Sequence, residues 1–241
     1  MDDGPAEPEP AAAGPVTLRV MSYNVHGQRD DRGALASVVR DIAPDIVVVQ
    51  EAPRRFRWRA RSAELARGWR MLYAAGGLPS LGNLIVTTHR VRVRDSWCLR
   101  YPLTPGRHLR GAVFARCTVG AATFVVAGTH LATDDVERVG QARIFADECA
   151  TVTEPLLVAA DLNDTAGGAS WSILVHRLVD PAATLGKDGL ATFPAGAPTR
   201  RIDAVFVDPR CSIEAYDVVA TPAARAASDH LPVVVDVRVP T

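Results

Sequence analysis

An α/β sandwich, two mostly antiparallel β-sheets packed face to face with helices outside, is the fold class the sequence predicts. Short Val-rich apolar runs recur from end to end, and their length and β-branched content suit strands better than helices. Most of these runs follow one another directly. Helical periodicity intervenes at about 32–42 and 134–150, so a regular alternation of strand and helix is not the best description.

Residues 1–16, rich in Pro, Ala and acids, cannot bury enough apolar surface to offset the entropy of ordering, and a flexible tail is expected there. A single domain is expected over 17–241. Leu18 to Tyr23 reads as the first strand. Leu35, Val38, Val39 and Ile42 fall on one face of a helix over 32–42. Strands are then expected at Asp45 to Gln50, Leu84 to Thr88, Arg110 to Thr118 and Ala122 to Thr129. The second helix carries Val136, Val139, Ile144 and Phe145, with Asp134 placed to cap it. Leu156 to Ala160, Ile202 to Val207 and Leu231 to Val237 complete the strands.

With 241 residues, 48% of them hydrophobic and 22% charged, the chain can bury a core without disulfide or metal staples. That composition excludes a disordered chain, a collagen-like fibre and a mini-protein. Lys+Arg and Asp+Glu balance at 27 each, so no global field draws the molecule to a polyanion, and any such binding must be local. Of the cations only Lys187 is not arginine. Arginine grips phosphate in a bidentate fork, although a GC-rich genome produces the same bias. Cys98, Cys117, Cys149 and Cys211 stand far apart without zinc-type spacing and are expected to be free, mostly buried thiols. No run is long enough to span a bilayer, and the acidic, Pro-rich start does not resemble a secretion signal, so a cytoplasmic protein is expected.

Polar residues cluster at the ends of the apolar runs, where a sandwich presents its loops. Asn24 ends the first strand, Glu51 the second and His130 the run from Phe124; Asp161 and Asn163 end the run from Leu156. Strand alternation lets Asp161 and Asn163 point the same way while Leu162 packs beneath. Asp203 lies inside an apolar strand, which is costly without a partner, and His230 suits it as a hydrogen-bonded dyad. Asp229-His230 is expected to open the last strand. Glu51 and Asp229 remain as hard oxygen ligands, better matched to Mg²⁺ or Mn²⁺ than to zinc. Together these groups equip a site for metal-assisted attack of water on a phosphate ester.

Ser22-Tyr23-Asn24, Gln50-Glu51, Gly82-Asn83, Gly128-Thr129-His130-Leu131, Asp161-Leu162-Asn163, Arg201-Ile202-Asp203 and Ser228-Asp229-His230-Leu231-Pro232 occur in that order. The set resembles the motifs of the endonuclease/exonuclease/phosphatase superfamily, over essentially the whole chain after the tail. The resemblance implies a four-layered α/β sandwich of the DNase I-like kind, acting as a Mg²⁺-dependent phosphoesterase. It implies that Glu51 binds the metal, with Asn24 close to metal and phosphate and Asp229 associated with the metal. It implies that Asp161 and Asn163 hold the attacking water and assist the leaving group, that Asp203 supports His230, and that His230 contacts the scissile phosphate. His130 resembles the His of the DNase-like and sphingomyelinase-like branches, as a phosphate ligand or general acid. The Glu that partners that His in DNase-like enzymes has no counterpart between Tyr73 and Thr88, so the partner of His130 stays open. Arg110 resembles a phosphate-contacting Arg of DNases.

Substrate is open at this stage. A phosphodiester of DNA or RNA, a small phosphorylated metabolite and a lipid headgroup are all candidates, with a catalytically inactive scaffold as the reading from another class. Oligomeric state is open too. Arg54 to Arg61 interleaves cations with Phe56 and Trp58, which suits either a nucleic-acid contact or a solvated helix face with both aromatics turned inward. Arg200-Arg201 is either a phosphate grip or a brace for the Asp203 strand. His26, His89, His108 and His176 are expected in loops or on the surface, with His26 near enough to Asn24 to reach the rim of the site.

Overall fold

The computed structural model describes residues 14–241, so most of the 1–16 segment lies outside the described residues. The strands are β1 (Val16–Asn24), β2 (Ile46–Gln50), β3 (Leu72–Gly77), β4 (Asn83–Thr87), β5 (Arg92–Arg100), β6 (Gly111–Val119), β7 (Ala122–His130), β8 (Leu156–Asp161), β9 (Asp203–Val207), β10 (Ser212–Val218) and β11 (Val233–Val239). The helices are α1 (Arg32–Ile42), α2 (Trp58–Gly68), α3 (Asp135–Ala150), α4 (Ala169–Val175), α5 (Pro181–Thr184) and α6 (Pro222–Ala227). Asp31 caps α1 through the amides of Gly33 and Ala34, and Asp134 caps α3 through the amide of Glu137.

Six strands form one sheet in the order β10-β11-β1-β2-β4-β3, and five form the other in the order β5-β6-β7-β8-β9. Each sheet contains one parallel pair, β1 with β2 and β7 with β8; every other pairing is antiparallel. Period-two alternation sorts the core. Along β6, Val113, Ala115 and Cys117 face the six-stranded sheet, whereas Ala112 and Phe114 face outward to Phe145 of α3 and the cluster around Trp171 of α4. Helices α1, α2 and α6 cover the other side of the six-stranded sheet through Leu35, Leu65 and Ala224. The result is the expected four layers. At the centre the two sheets approach closely: a Cβ on Gly128 would lie 2.3 Å from Val48 Cγ1, so only glycine fits that point of β7.

Asp229-His230 does not open β11. Pro232 has no N–H for the ladder, and Leu231 N–H donates instead to the Thr192 carbonyl at 2.8 Å, so pairing begins at Val233. Arg54 to Arg61 also splits in a way that neither reading anticipated. Trp58 opens α2 and packs inward against Gly77, while Phe56 stays 84% exposed. Among the described residues no helix is long and apolar enough to cross a membrane.

Candidate active site

Strand register brings the chemistry to one edge of the sandwich. In the five-stranded sheet His130 pairs with Asp161 and Asp161 with Asp203, one row across β7, β8 and β9. In the six-stranded sheet Asn24 pairs with Gln50, setting Glu51 just beyond the ends of the parallel strands β1 and β2. Parallel neighbours end at the same level, which is why four separate motifs meet.

Asp161 is the hub. Asn24 reaches across from the other sheet and donates Nδ2 to Asp161 Oδ2 at 2.8 Å, while the Asn163 amide donates to Oδ1 at 3.0 Å. His130 Nε2 lies 3.2 Å and His230 Nε2 3.8 Å from Asp161 Oδ2. The expected alternation holds in outcome but not in cause. Leu162 is fully buried, yet Asn163 turns its backbone to a φ of 51°, a left-handed conformation that Asn tolerates, and the Asp161 carboxylate stabilises the turn.

The Asp203–His230 dyad is present: His230 Nδ1 donates to the Asp203 carboxylate at 2.9 and 3.1 Å, and both residues are buried. Burial works against the imidazolium. The charge and hydrogen bond of Asp203 outweigh it, and Asp161 and Asp229 add to that, pushing the His230 pKa up to about 10. Thr192 Oγ1 accepts the amides of Ile202 and Asp203, and the Phe193 ring packs on the imidazole at 4.7 Å. These two supports carried no motif signal in the sequence.

The partner of His130 is Arg110, whose Nη1 donates to Nδ1 at 2.8 Å. A guanidinium has no acceptor, so Nδ1 must be the unprotonated nitrogen and the ring proton resides on Nε2, facing Asp161. Burial, reinforced by Arg110 and opposed by Asp161, pushes the His130 pKa down to about 3, keeping the ring neutral. Asn163 Nδ2 donates to the Leu131 carbonyl at 3.0 Å and lies 3.1 Å from His130 Nε2. Asn83 and Thr129, both motif residues, donate to the Gly111 carbonyl and so fix the backbone beside Arg110.

The two imidazoles give stability opposite pH slopes. His130 binds its proton less well when folded, so its contribution is present above the unfolded value near 6.5 and is lost as pH falls toward about 3. His230 binds its proton better when folded, so its contribution is complete below about 6.5 and is lost as pH rises toward about 10. Urea unfolding of the metal-free protein is therefore expected to show greatest stability near pH 6.5, each limb changing by at most about 1.4 kcal/mol per pH unit for its histidine. A midpoint rising steadily from pH 6.5 to 9 would contradict the His230 assignment.

Glu51 completes the edge. Its backbone φ is 55°, uncommon for a residue with a long side chain, and its half-buried carboxylate has no hydrogen bond or ion pair among the described residues. It lines a cavity of about 1020 Å³ together with Asp229, His26, His108, Arg110 and His130. Glu51 and Asp229, both on the wall of that cavity, offer hard oxygen donors, which fit Mg²⁺ or Mn²⁺. Asn24 Oδ1 accepts the His26 amide and keeps one lone pair free. Among the described residues, Asp161, Asp203 and His230 bring their ligand atoms within 4.8 Å of one another, and there the Asp203–His230 pair is already joined through a proton. His26 does reach the rim, its Nδ1 2.8 Å from Asp30 and 3.7 Å from Asp229. His108 was expected only as a loop or surface residue, and nothing in its sequence setting signals the cavity. Arg201 braces rather than grips: it is buried, paired in a fork with Asp180 and stacked over Trp171.

Residues 21–230 match the family model described as Endonuclease/Exonuclease/phosphatase family. Among solved structures, an endonuclease/exonuclease/phosphatase family protein from Bacteroides thetaiotaomicron aligns at 18% identity and a TM-score of 0.77, covering 93% of this chain and 96% of that one. The mannosyl-6-phosphatase of the same organism aligns at 18% identity and 0.75, covering 91% and 99%. D. rerio TDP2 complexed with a single-strand DNA product aligns at 20% identity and 0.76, covering 92% and 98%. No curated protein matches.

Proposed function

The chain belongs to the endonuclease/exonuclease/phosphatase family, a group of phosphoesterases that includes nucleases and phosphatases, and from that premise we propose that it hydrolyses a phosphate ester with a divalent cation and water. The observation that carries this reading is the convergence on Asp161 of an amide from one sheet and two imidazoles held in opposite protonation states. Separating two titratable groups in this way assigns them different tasks. His230, kept cationic by Asp203, supplies positive charge to the oxygens of the phosphoryl group. His130, kept neutral and oriented by Arg110, presents its Nε2 proton as a donor, and Arg110 adds its own charge. Asp161 and Asn163 position the water, and the Asp161 carboxylate accepts its proton. The hydroxyls beside the cluster, Ser228 and Thr192, are committed to backbone groups, so water rather than a side chain is the nucleophile.

Mg²⁺ or Mn²⁺, held by Glu51 with Asp229 and Asn24, would polarise the phosphoryl oxygens as a Lewis acid. Phosphate ester hydrolysis is so slow uncatalysed that the site must supply on the order of 20 kcal/mol of stabilisation. An inactive scaffold is opposed by the complete set of Asn24, Glu51, His130, Asp161, Asn163, Asp203 and His230.

The test is a panel of plasmid DNA, single-stranded DNA, RNA, an aryl phosphodiester, nucleotides and sugar phosphates with Mg²⁺ or Mn²⁺. Turnover of at least one class is expected, abolished by EDTA and by Asp161→Asn. Turnover that survives both controls, or none with any ester, overturns the reading.

A further inference from the structure

The cavity extends well beyond the catalytic cluster. It runs from His130, Arg110 and Glu51 to a cleft between α1 and α2, floored by Leu35, Leu65 and Trp69. Its volume of about 1020 Å³ is that of a site for a whole drug-sized ligand, far more than one phosphate fills.

Its charge departs from that of the chain. Arg29, Arg32, Arg54, Arg55, Arg61 and Arg110 line it against Glu51, Glu64 and Asp229, an excess of cations in a protein whose formal charges cancel. None of these arginines forms an ion pair with a described residue, although three carboxylates share the wall. Arg54 is fixed to the carbonyls of Leu81 and Leu109, and Arg110 serves His130. The remaining four are exposed and nearly uncommitted. Arg29 reaches His26 Nε2 at 3.5 Å, Arg32 reaches the Gln28 carbonyl at 3.2 Å, and the side chains of Arg55 and Arg61 make no hydrogen bond. Arg29 and Arg32 lie on the α1 side of the cleft, Arg55 and Arg61 on the α2 side. Guanidinium forks contributed from both sides of one cavity, none of them in an ion pair with a described residue, suit a phosphate clamp.

We propose that Arg29, Arg32, Arg55 and Arg61 hold a second phosphoryl group of the substrate, beyond the one that is cleaved. The proposal rests on the phosphoesterase reading and narrows it to substrates with more than one phosphate. The second group is either the next phosphate of a nucleic-acid strand or another phosphate on a compact molecule.

Binding measured without turnover separates these sources. In EDTA, a labelled single-stranded hexadeoxynucleotide is titrated by fluorescence anisotropy across a salt series, and inorganic tripolyphosphate is titrated separately by calorimetry. If a strand is the source, the Arg29→Ala/Arg32→Ala/Arg55→Ala/Arg61→Ala variant is expected to bind it at least about 30-fold more weakly, with a salt slope shallower by about 2 to 3, close to 0.7 per cation lost. The control Arg40→Ala/Arg67→Ala removes exposed charges from the same helices outside the cavity and is expected to bind as wild type. If wild type binds tripolyphosphate but not the strand, and the quadruple variant loses that binding, the second phosphate belongs to a compact molecule. Equal binding by wild type and the quadruple variant, equal loss in the control, or no binding of either probe by wild type overturns the proposal. Binding without hydrolysis of any ester would count against the phosphoesterase reading alone, and hydrolysis of the aryl phosphodiester without binding would count against this clamp alone.

Discussion

Glu51→Gln is expected to lower kcat/KM by at least about 10³-fold on any ester the protein hydrolyses, which corresponds to about 4 kcal/mol of lost transition-state stabilisation. The substitution keeps shape and removes only charge. Because the Glu51 carboxylate has no hydrogen bond or ion pair among the described residues and acts on buried Arg110 only through its charge at longer range, its neutralisation breaks no bond, and the unfolding midpoint is expected to stay within about 1 kcal/mol of wild type. That combination is diagnostic. A carboxylate held for stability would lower the midpoint and spare turnover, whereas one held for a cation spares the midpoint and weakens the cation. Calorimetric titration with Mn²⁺ supplies the second readout, with affinity expected to fall at least tenfold. Activity within tenfold of wild type, or unchanged Mn²⁺ affinity, would remove Glu51 from the site.

Asp203→Asn carries the other large effect. Asp203 lies beneath His230 at 2.9 Å and, against the pull of burial, is the chief reason that the imidazolium persists to about pH 10. An amide supplies neither the charge nor a reliable acceptor. His230 is then expected to lose its proton near or below the ordinary imidazole value of about 6.5. Turnover at pH 8 should fall by about 10³- to 10⁴-fold, the order seen when the acid that orients a catalytic imidazole is neutralised. Stability should fall too, by about 1 to 3 kcal/mol, since the buried charge-assisted bond is lost. A structural role alone would produce that second effect, so the deciding measurement is an NMR titration of the His230 ring in metal-free protein. A midpoint still near 10 in the variant would refute the dyad as the source of the charge.

The strands that escaped the sequence reading share one physical property. β3, β5 and β10 are all sheet edges, with neighbours on one side only. β5, with the sequence Arg-Val-Arg-Asp-Ser-Trp-Cys-Leu-Arg, is mostly exposed, and β10 mixes Glu214 and Asp217 with its apolar residues. Residues of β5 and β10, at the edges, are free to be polar, so no apolar run marks them, and β3, Leu-Tyr-Ala-Ala-Gly-Gly, is short and ends in small residues of low strand propensity. β9 is also an edge, yet it was legible, because Val179 pairs with Val207 and covers it. Helices α4, α5 and α6 are too short to display a period.

At the candidate site, the sequence by itself singled out the residues that the fold then brings to one edge of the sandwich. Glu51, His130, Asp161 and Asn163 punctuate apolar runs, and Asp203, an acid inside Ile202 to Val207, demanded a partner that His230 was suited to be. Tertiary structure decided what each of them is. The pairing of Arg110 with His130 depends on neighbouring strands meeting at one level, and it fixes a tautomer that no spacing encodes. Arg201 pairs with Asp180 rather than with a ligand because α5 packs against its strand, and His108 reaches the cavity only because a loop returns there. Residue type is local, whereas protonation state, partner and access depend on distances between segments far apart in the chain, and these exist only after the two sheets have packed.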